Sequence, residues 1–174
     1  LVMPVLVDAV LAVAAPIEKA LGSRWVRSAS EALGRSGATV VAITGSYGKT
    51  TTKVATAHLL AGLTPTVASP ASFNNRMGLA RAINEHLTPG TGVFVAEMGT
   101  YGAGEIAELC SWIPPKVAAI TAIGPVHLER MRTLDAIAAA KREILALAEV
   151  GVLDIDDRRL AAMAVEEAAS RRIV

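Results

Sequence analysis

The sequence predicts an α/β domain: a mostly parallel sheet flanked by helices. Three observations lead there. From residue 38 onward, short runs of β-branched and small apolar residues alternate with helical stretches. That alternation implies right-handed crossovers and parallel pairing. The runs are continuously apolar rather than alternating, as in strands covered on both faces. With 174 residues, of which 52% are hydrophobic and 19% charged, the chain can build one core.

The elements follow in order. Residues 38–44 (ATVVAIT) read as a buried strand, and 49–61 as a helix ending at Gly62. Residues 66–68 form a short strand, and 76–87 a helix stopped by Pro89-Gly90. A second buried strand occupies 92–96 (GVFVA), and a short helix at 104–112 ends before Pro114-Pro115. Residues 117–123 (VAAITAI) are the third buried strand, 133–149 a helix, 151–155 a short strand and 157–171 a helix. Another strand would begin at the closing RRIV. The organisation expected is a hydrophobic and basic helical segment over 1–37 and an α/β domain over 38–174.

Composition removes several functions. Lys and Arg number 17 against 16 Asp and Glu, so the net charge of +1 carries no signature of a nucleic-acid binder. A single cysteine, Cys110, permits neither an internal disulfide nor a four-cysteine zinc site. It reads as inert, and Trp25 and Trp112 read as packing anchors. Residues 1–15 are apolar except for Asp8 and are too few to span a bilayer alone. They are either an amphipathic helix or the trailing end of a membrane anchor. Lys19, Arg24, Arg27 and Arg35 follow them, as on the cytoplasmic side of a membrane segment. The chain opens on Leu1 rather than Met and stops at Val174, so a fragment truncated at its C-terminal end is expected.

In parallel sheets ligands sit beyond the carboxyl ends of the strands, and the unusual residues collect there. After the first strand comes Thr44-Gly45-Ser46-Tyr47-Gly48-Lys49-Thr50-Thr51. The glycines let backbone N–H groups turn around an anion, and the following helix aims its positive N-terminus at the same place. Lys49 suits terminal phosphates and the Thr50 hydroxyl suits magnesium. The spacing is shorter than the common G-x-x-x-x-G-K-[ST] loop, whose first glycine would fall at Ile43. An ordinary glycine-rich turn would leave Lys49 and the threonines unexplained. Glu97 caps the second buried strand and is either a magnesium ligand or an N-terminal cap or solvated charge. His127, and the pair Asn74 and Asn75, are each ligand contacts or structural residues.

Lys141 shares a helix face with Leu134, Ile137, Ile144, Leu145 and Ala148. Either its stem is buried with a wet ammonium, or desolvation frees a neutral amine. A neutral amine can take up carbon dioxide as a carbamate, a carboxylate-like metal ligand.

Together TGSYGKTT, SFNNRMG at 72–78, EMGTYGAGEI at 97–106, ITAIGPVHLERM at 120–131 and AAAKREI at 138–144 resemble the Mur ligase family in its central ATP-binding domain. That domain is P-loop NTPase-like, and the resemblance spans roughly residues 38–160. Within the family it is similar to the MurF type, which adds D-alanyl-D-alanine to UDP-N-acetylmuramoyl-tripeptide. The resemblance implies an ATP-dependent acid–amino-acid ligase of peptidoglycan precursor synthesis that works through an acyl phosphate. Its partners are ATP, a UDP-muramoyl-peptide-like carboxylate and an incoming amino acid or dipeptide. The place implied is the cytoplasm, at the inner face of the bacterial membrane if the N-terminal segment is an anchor.

By that resemblance Thr44, Gly45, Ser46, Tyr47, Gly48, Lys49, Thr50 and Thr51 form the ATP loop. Thr50 and Glu97 hold one Mg2+, and His127 and carbamylated Lys141 a second. Asn75 stands near the γ-phosphate and acceptor, and Asp154 beside adenine. The family often has Asn-x-Asp-Asp where this chain reads Asp154-Ile155-Asp156-Asp157. Its C-terminal and uridine-binding N-terminal domains are not recognisable. Two other readings share the loop: a phosphate-loop kinase or NTPase, and a non-catalytic nucleotide-binding module.

Overall fold

The computed structural model describes residues 21–126 and 128–174. Residues 1–20 and His127 lie outside the described residues, so the expectation of an amphipathic helix or anchor at 1–15 does too. No described helix is long and apolar enough to cross a membrane.

Six parallel strands form one sheet in the order β2-β3-β1-β4-β5-β6. They are β1 (Thr39–Thr44), β2 (Thr66–Ala68), β3 (Val93–Glu97), β4 (Val117–Ile120), β5 (Val150–Leu153) and β6 (Arg172–Ile173). The helices are α1 (21–36), α2 (Lys49–Ala61), α3 (Arg76–His86), α4 (Glu105–Trp112), α5 (Leu128–Met131), α6 (Leu134–Arg142) and α7 (Arg158–Glu167). After β1 the chain moves to β2 at one edge, returns through β3 and then crosses to β4 on the far side of β1. The crevice is therefore set at the carboxyl ends of β1 and β3. Register pairs Ile43 with Glu97, so the carboxylate starts one residue below the loop that leaves β1.

Phe94 and Ile43 sit in the sheet with almost no exposure, and Leu79, Ile83 and Ile106 cover it from the helices. Helix α1 joins the same core through Val26, Ala29 and Leu33, spaced along one helix face. Trp25 is not the packing anchor expected. It lies beside that face, 42% exposed, while Trp112 packs against the core. Cys110 is buried against Met98, and desolvation, helped by the charge of Glu143, pushes its thiol up to about 12, which keeps it inert.

Several expected elements end short of their predicted bounds; the helix expected over 157–171 stops at Glu167 and the strand over 151–155 at Leu153. The helix expected over 133–149 ends at Arg142 and tightens into a 3-10 turn at Glu143–Leu145. Arg142 is held by Glu166 and Glu167, and Glu149 and Val150 already donate to the Lys116 carbonyl to start β5. The strand expected over 117–123 stops at Ile120 because Thr121 turns to brace the preceding loop. Strand β6 sits where a further strand was expected to begin.

One ion-pair group pins the last helix. Glu167 accepts from Arg142 Nε at 2.7 Å and Arg171 Nε at 2.6 Å. Burial pushes its carboxyl up, but the two guanidinium groups outweigh that and hold it below the ordinary 4.5. A depressed carboxyl stabilises the fold above its unfolded pKa, and that contribution is lost as pH falls through the folded pKa. Glu167→Gln is expected to lower unfolding free energy by about 2 kcal/mol at pH 7, read by urea denaturation. The gap between variant and wild type should shrink as pH drops below 4.5. A gap unchanged down to about pH 2.5 would exclude this linkage.

Candidate functional site

The loop leaving β1 can be built only with glycine at its start. Gly45 has φ +152°, and a Cβ there would stand 1.9 Å from Thr121 Oγ1. Gly48, at φ +78°, opens α2 with no side-chain cap, so the N–H groups of the first turn are left to an anion. Lys49 folds back and donates to the Gly45 carbonyl at 2.7 Å.

Segment 121–124 carries this loop. The Thr121 hydroxyl donates to the Tyr47 carbonyl at 2.5 Å. Ser46 donates its N–H to the Ala122 carbonyl at 2.8 Å, and its hydroxyl donates to Gly124 O and accepts from Gly124 N. Its polar groups are thus committed inside the protein, although the sequence placed Ser46 among the nucleotide contacts. The Tyr47 ring covers Gly124, where a Cβ would come within 2.3 Å of it. The Thr44 hydroxyl is buried without a partner, and Thr51 is exposed on α2.

Glu97, 2% exposed, closes β3 beneath the loop. Its Oε2 accepts from the Thr50 hydroxyl at 2.9 Å and pairs with Lys53 Nζ at 3.0 Å, and its Oε1 accepts from Asn74 Nδ2 at 3.1 Å. Burial alone would raise this carboxyl. The hydrogen bonds from Asn74, Lys53 and Thr50, with the Lys53 charge, override burial and hold it below its ordinary value. Lys53 also donates to the Ala71 carbonyl at 2.6 Å, tying α2 to the 70–75 loop that presents Asn74.

Lys49, Lys141, Asn74 and Thr100 face one small cleft of about 60 Å³ beside Gly45. Lys141 is 3% exposed, so its ammonium is not wet at the surface as simple snorkelling would have it. Desolvation, with the charge of Lys49, lowers its amine to about 8. Burial lowers Lys49 as well, partly opposed by Glu97. Glu143, two residues after Lys141, accepts from the Gly104 and Ala107 N–H groups at 2.7 and 3.0 Å. It caps α4 and so fixes the Lys141 helix against the loop after β3.

Two site residues expected from the sequence, Asn75 and Asp154, stand elsewhere. Asn75 caps α3, accepting from Gly78 N at 2.9 Å, and faces a separate groove with Trp25, Phe73 and Met77. Asn74, its neighbour, is the one in the cleft, because the capping geometry turns the two side chains apart. Asp154 follows β5, is exposed and accepts from Asp156 N within its own turn. It does not line the cleft. His127 lies outside the described residues. Among the described residues no group of three His, Cys, Asp or Glu side chains gathers for a metal.

Sequence reasoning missed Lys53 and Glu143. The spacing of Lys49 and Lys53, four apart at the start of α2, places both on one helix face and was the available signal for the first. Nothing local signals Glu143, since its partners are 36 and 39 residues away.

The model of the Mur ligase middle domain matches residues 43–173. The chain is 37% identical over 159 residues to UDP-N-acetylmuramoyl-tripeptide--D-alanyl-D-alanine ligase of Mycobacterium leprae, covering 90% of this chain and 29% of that protein. It superposes on MurF from Acinetobacter baumannii with a TM-score of 0.80 at 30% identity, covering 87% of this chain and 34% of that one. For the MurF ligase of Thermotoga maritima in complex with ADP the TM-score is 0.79 at 32% identity, covering 88% and 36%. The chain therefore spans about 30% of the length of such curated relatives.

Gly45→Ala is expected to force Thr121 off the Tyr47 carbonyl and open the loop. Thermal unfolding should show a loss of about 1–3 kcal/mol, with nucleotide binding lost by calorimetry. Binding at wild-type strength would show that the loop tolerates a side chain there.

Proposed function

Since the chain belongs to the Mur ligase family, matched through that family's middle domain, we propose that it is the ATP-binding part of a MurF-like, ATP-dependent amide-forming ligase of peptidoglycan precursor synthesis. The observation that carries this is one cleft shared by Lys49 and Lys141, with the Thr50–Glu97 pair beside its loop. A simple phosphate-loop kinase has no use for a second buried lysine supplied from α6. The ADP complex of the Thermotoga maritima relative supports nucleotide as the occupant.

In the reaction proposed, the γ-phosphoryl group of ATP passes to a carboxylate of a UDP-muramoyl-peptide-like acceptor. An amino acid or dipeptide amine then attacks the acyl phosphate, and phosphate leaves. The chain's residues position and neutralise. The uncapped start of α2, with Gly45 and Gly48, cradles the phosphates. Lys49 leaves the Gly45 carbonyl to meet the terminal phosphate oxygens. Asn74 and the 97–104 loop border the side from which the carboxylate arrives. Asp154, beyond β5, is the residue proposed toward adenine.

The donor set suits magnesium: a carboxylate and a hydroxyl oxygen stand 2.9 Å apart, both hard oxygen donors. Thr50 and Glu97 would hold the ion, which when bound supplies neutralisation of phosphate charge. His127 and Lys141 are the residues proposed for a second ion. The depressed Lys141 amine supports carbamylation, in which the neutral amine adds carbon dioxide and releases one proton. The site would work in the cytoplasm, where ATP is available.

Magnesium-dependent ATP binding by the 174-residue chain is expected in calorimetry, weakened at least about 100-fold by Lys49→Ala. In the full-length ligase that variant should be inactive, and undiminished ligation would overturn the assignment. Lys141→Ala should also be inactive and should recover activity with small carboxylates such as acetate. A variant indistinguishable from wild type would refute the carbamate.

A further inference from the structure

Lys53 lies outside the cleft and is not used by the reaction above, yet it is among the most buried charges described, 2% exposed. Its ammonium sits 3.0 Å from Glu97 Oε2, the same oxygen that accepts the Thr50 hydroxyl at 2.9 Å. The other oxygen, Oε1, is taken by Asn74. Oε2 is also the oxygen beside Thr50, the partner expected to share a cation with it. An ammonium on that oxygen repels any second cation placed there.

We propose that Lys53 is a built-in counter-ion: it holds Glu97 aimed at Thr50 before nucleotide arrives, and its ammonium on Oε2 stops a free divalent cation from settling there without phosphates. Metal binding then depends on nucleotide, because phosphate oxygens must add the negative charge that offsets Lys53. Lys53 is a positioning residue rather than one that touches substrate. Its second bond, to the Ala71 carbonyl at 2.6 Å, sets the loop that brings Asn74 to the same carboxylate. Ala71 holds a left-handed φ of +44°, an unfavourable state for alanine that this bond helps secure.

This rests on the reading of Thr50 and Glu97 as the cation-holding pair, and the test separates the two. Mn2+ is titrated into the nucleotide-free 174-residue chain, followed by electron paramagnetic resonance, for wild type and Lys53→Gln. Glutamine is neutral and retains a donor for Ala71. The expected result is Mn2+ binding at least about tenfold tighter in Lys53→Gln than in wild type, with a larger rise in melting temperature on adding Mg2+. Equal or weaker Mn2+ binding in the variant overturns the proposal. Wild type that binds neither Mn2+ nor Mg2+ with ADP present overturns the underlying reading instead, and the proposal with it.

If Lys53→Gln does not fold in metal-free buffer, Lys53→Gln/Glu97→Gln decides. Removing both charges should restore folding and leave Mn2+ binding no tighter than wild type. A double variant that is no more stable than the single one overturns the counter-ion role.

Discussion

The carboxylate of Glu97 is the constraint around which the ligand edge is arranged. It sits at the end of a central strand with almost no exposure, where an unpaired charge would cost several kcal/mol. The fold meets that requirement with donors from two other segments. Thr50 and Lys53 come from the first turns of α2, and Asn74 comes from the loop before α3. Each donor drags its backbone with it. The phosphate loop, the start of α2 and the 70–75 loop are thereby held in register with β3.

The neighbouring strand supplies the complementary brace. Segment 121–124 leaves the sheet early so that Thr121 and Gly124 can bond to Tyr47 and Ser46. Glycine at 45 is required by its φ of +152° and by contact with Thr121, and glycine at 124 leaves room for the Tyr47 ring. The loop is therefore preorganised from both sides, and its remaining amides and the Lys49 ammonium are what it offers to an anion. On the far wall Glu143 locks α6 to α4 and keeps Lys141 facing Lys49. Burial lowers the proton affinity of both lysines, and the charge of Lys49 lowers that of Lys141 further, so an anionic ligand in the cleft would favour both ammonium forms.

The order of elements was legible because each strand is a short apolar run and each helix carries its own stop. Helix α2 falls at Lys49–Ala61 and β2 at Thr66–Ala68, the bounds the sequence predicts. The ends that moved were those decided by distant partners. Arg142 reaches Glu166 and Glu167, so α6 stops where a continuous apolar stripe suggested more helix. Trp25 falls beside the buried face of α1, which Val26, Ala29 and Leu33 set, and so does not anchor packing.

What the sequence by itself determined is the alternation that makes a parallel sheet, the loop chemistry after β1 and the family to which the chain belongs. These are properties of neighbouring residues: β-branched runs, glycines at fixed offsets, and a lysine and threonines at a helix start. Tertiary structure alone decided which of Asn74 and Asn75 enters the cleft, that Ser46 turns inward, that Lys141 is buried, and that Lys53 claims Glu97. Lys53 meets Glu97 from 44 residues away, Asn74 meets it from 23, and Ser46 meets Gly124 from 78. The physical reason is that burial and charge pairing are set by what the fold brings together, and no local pattern carries that information.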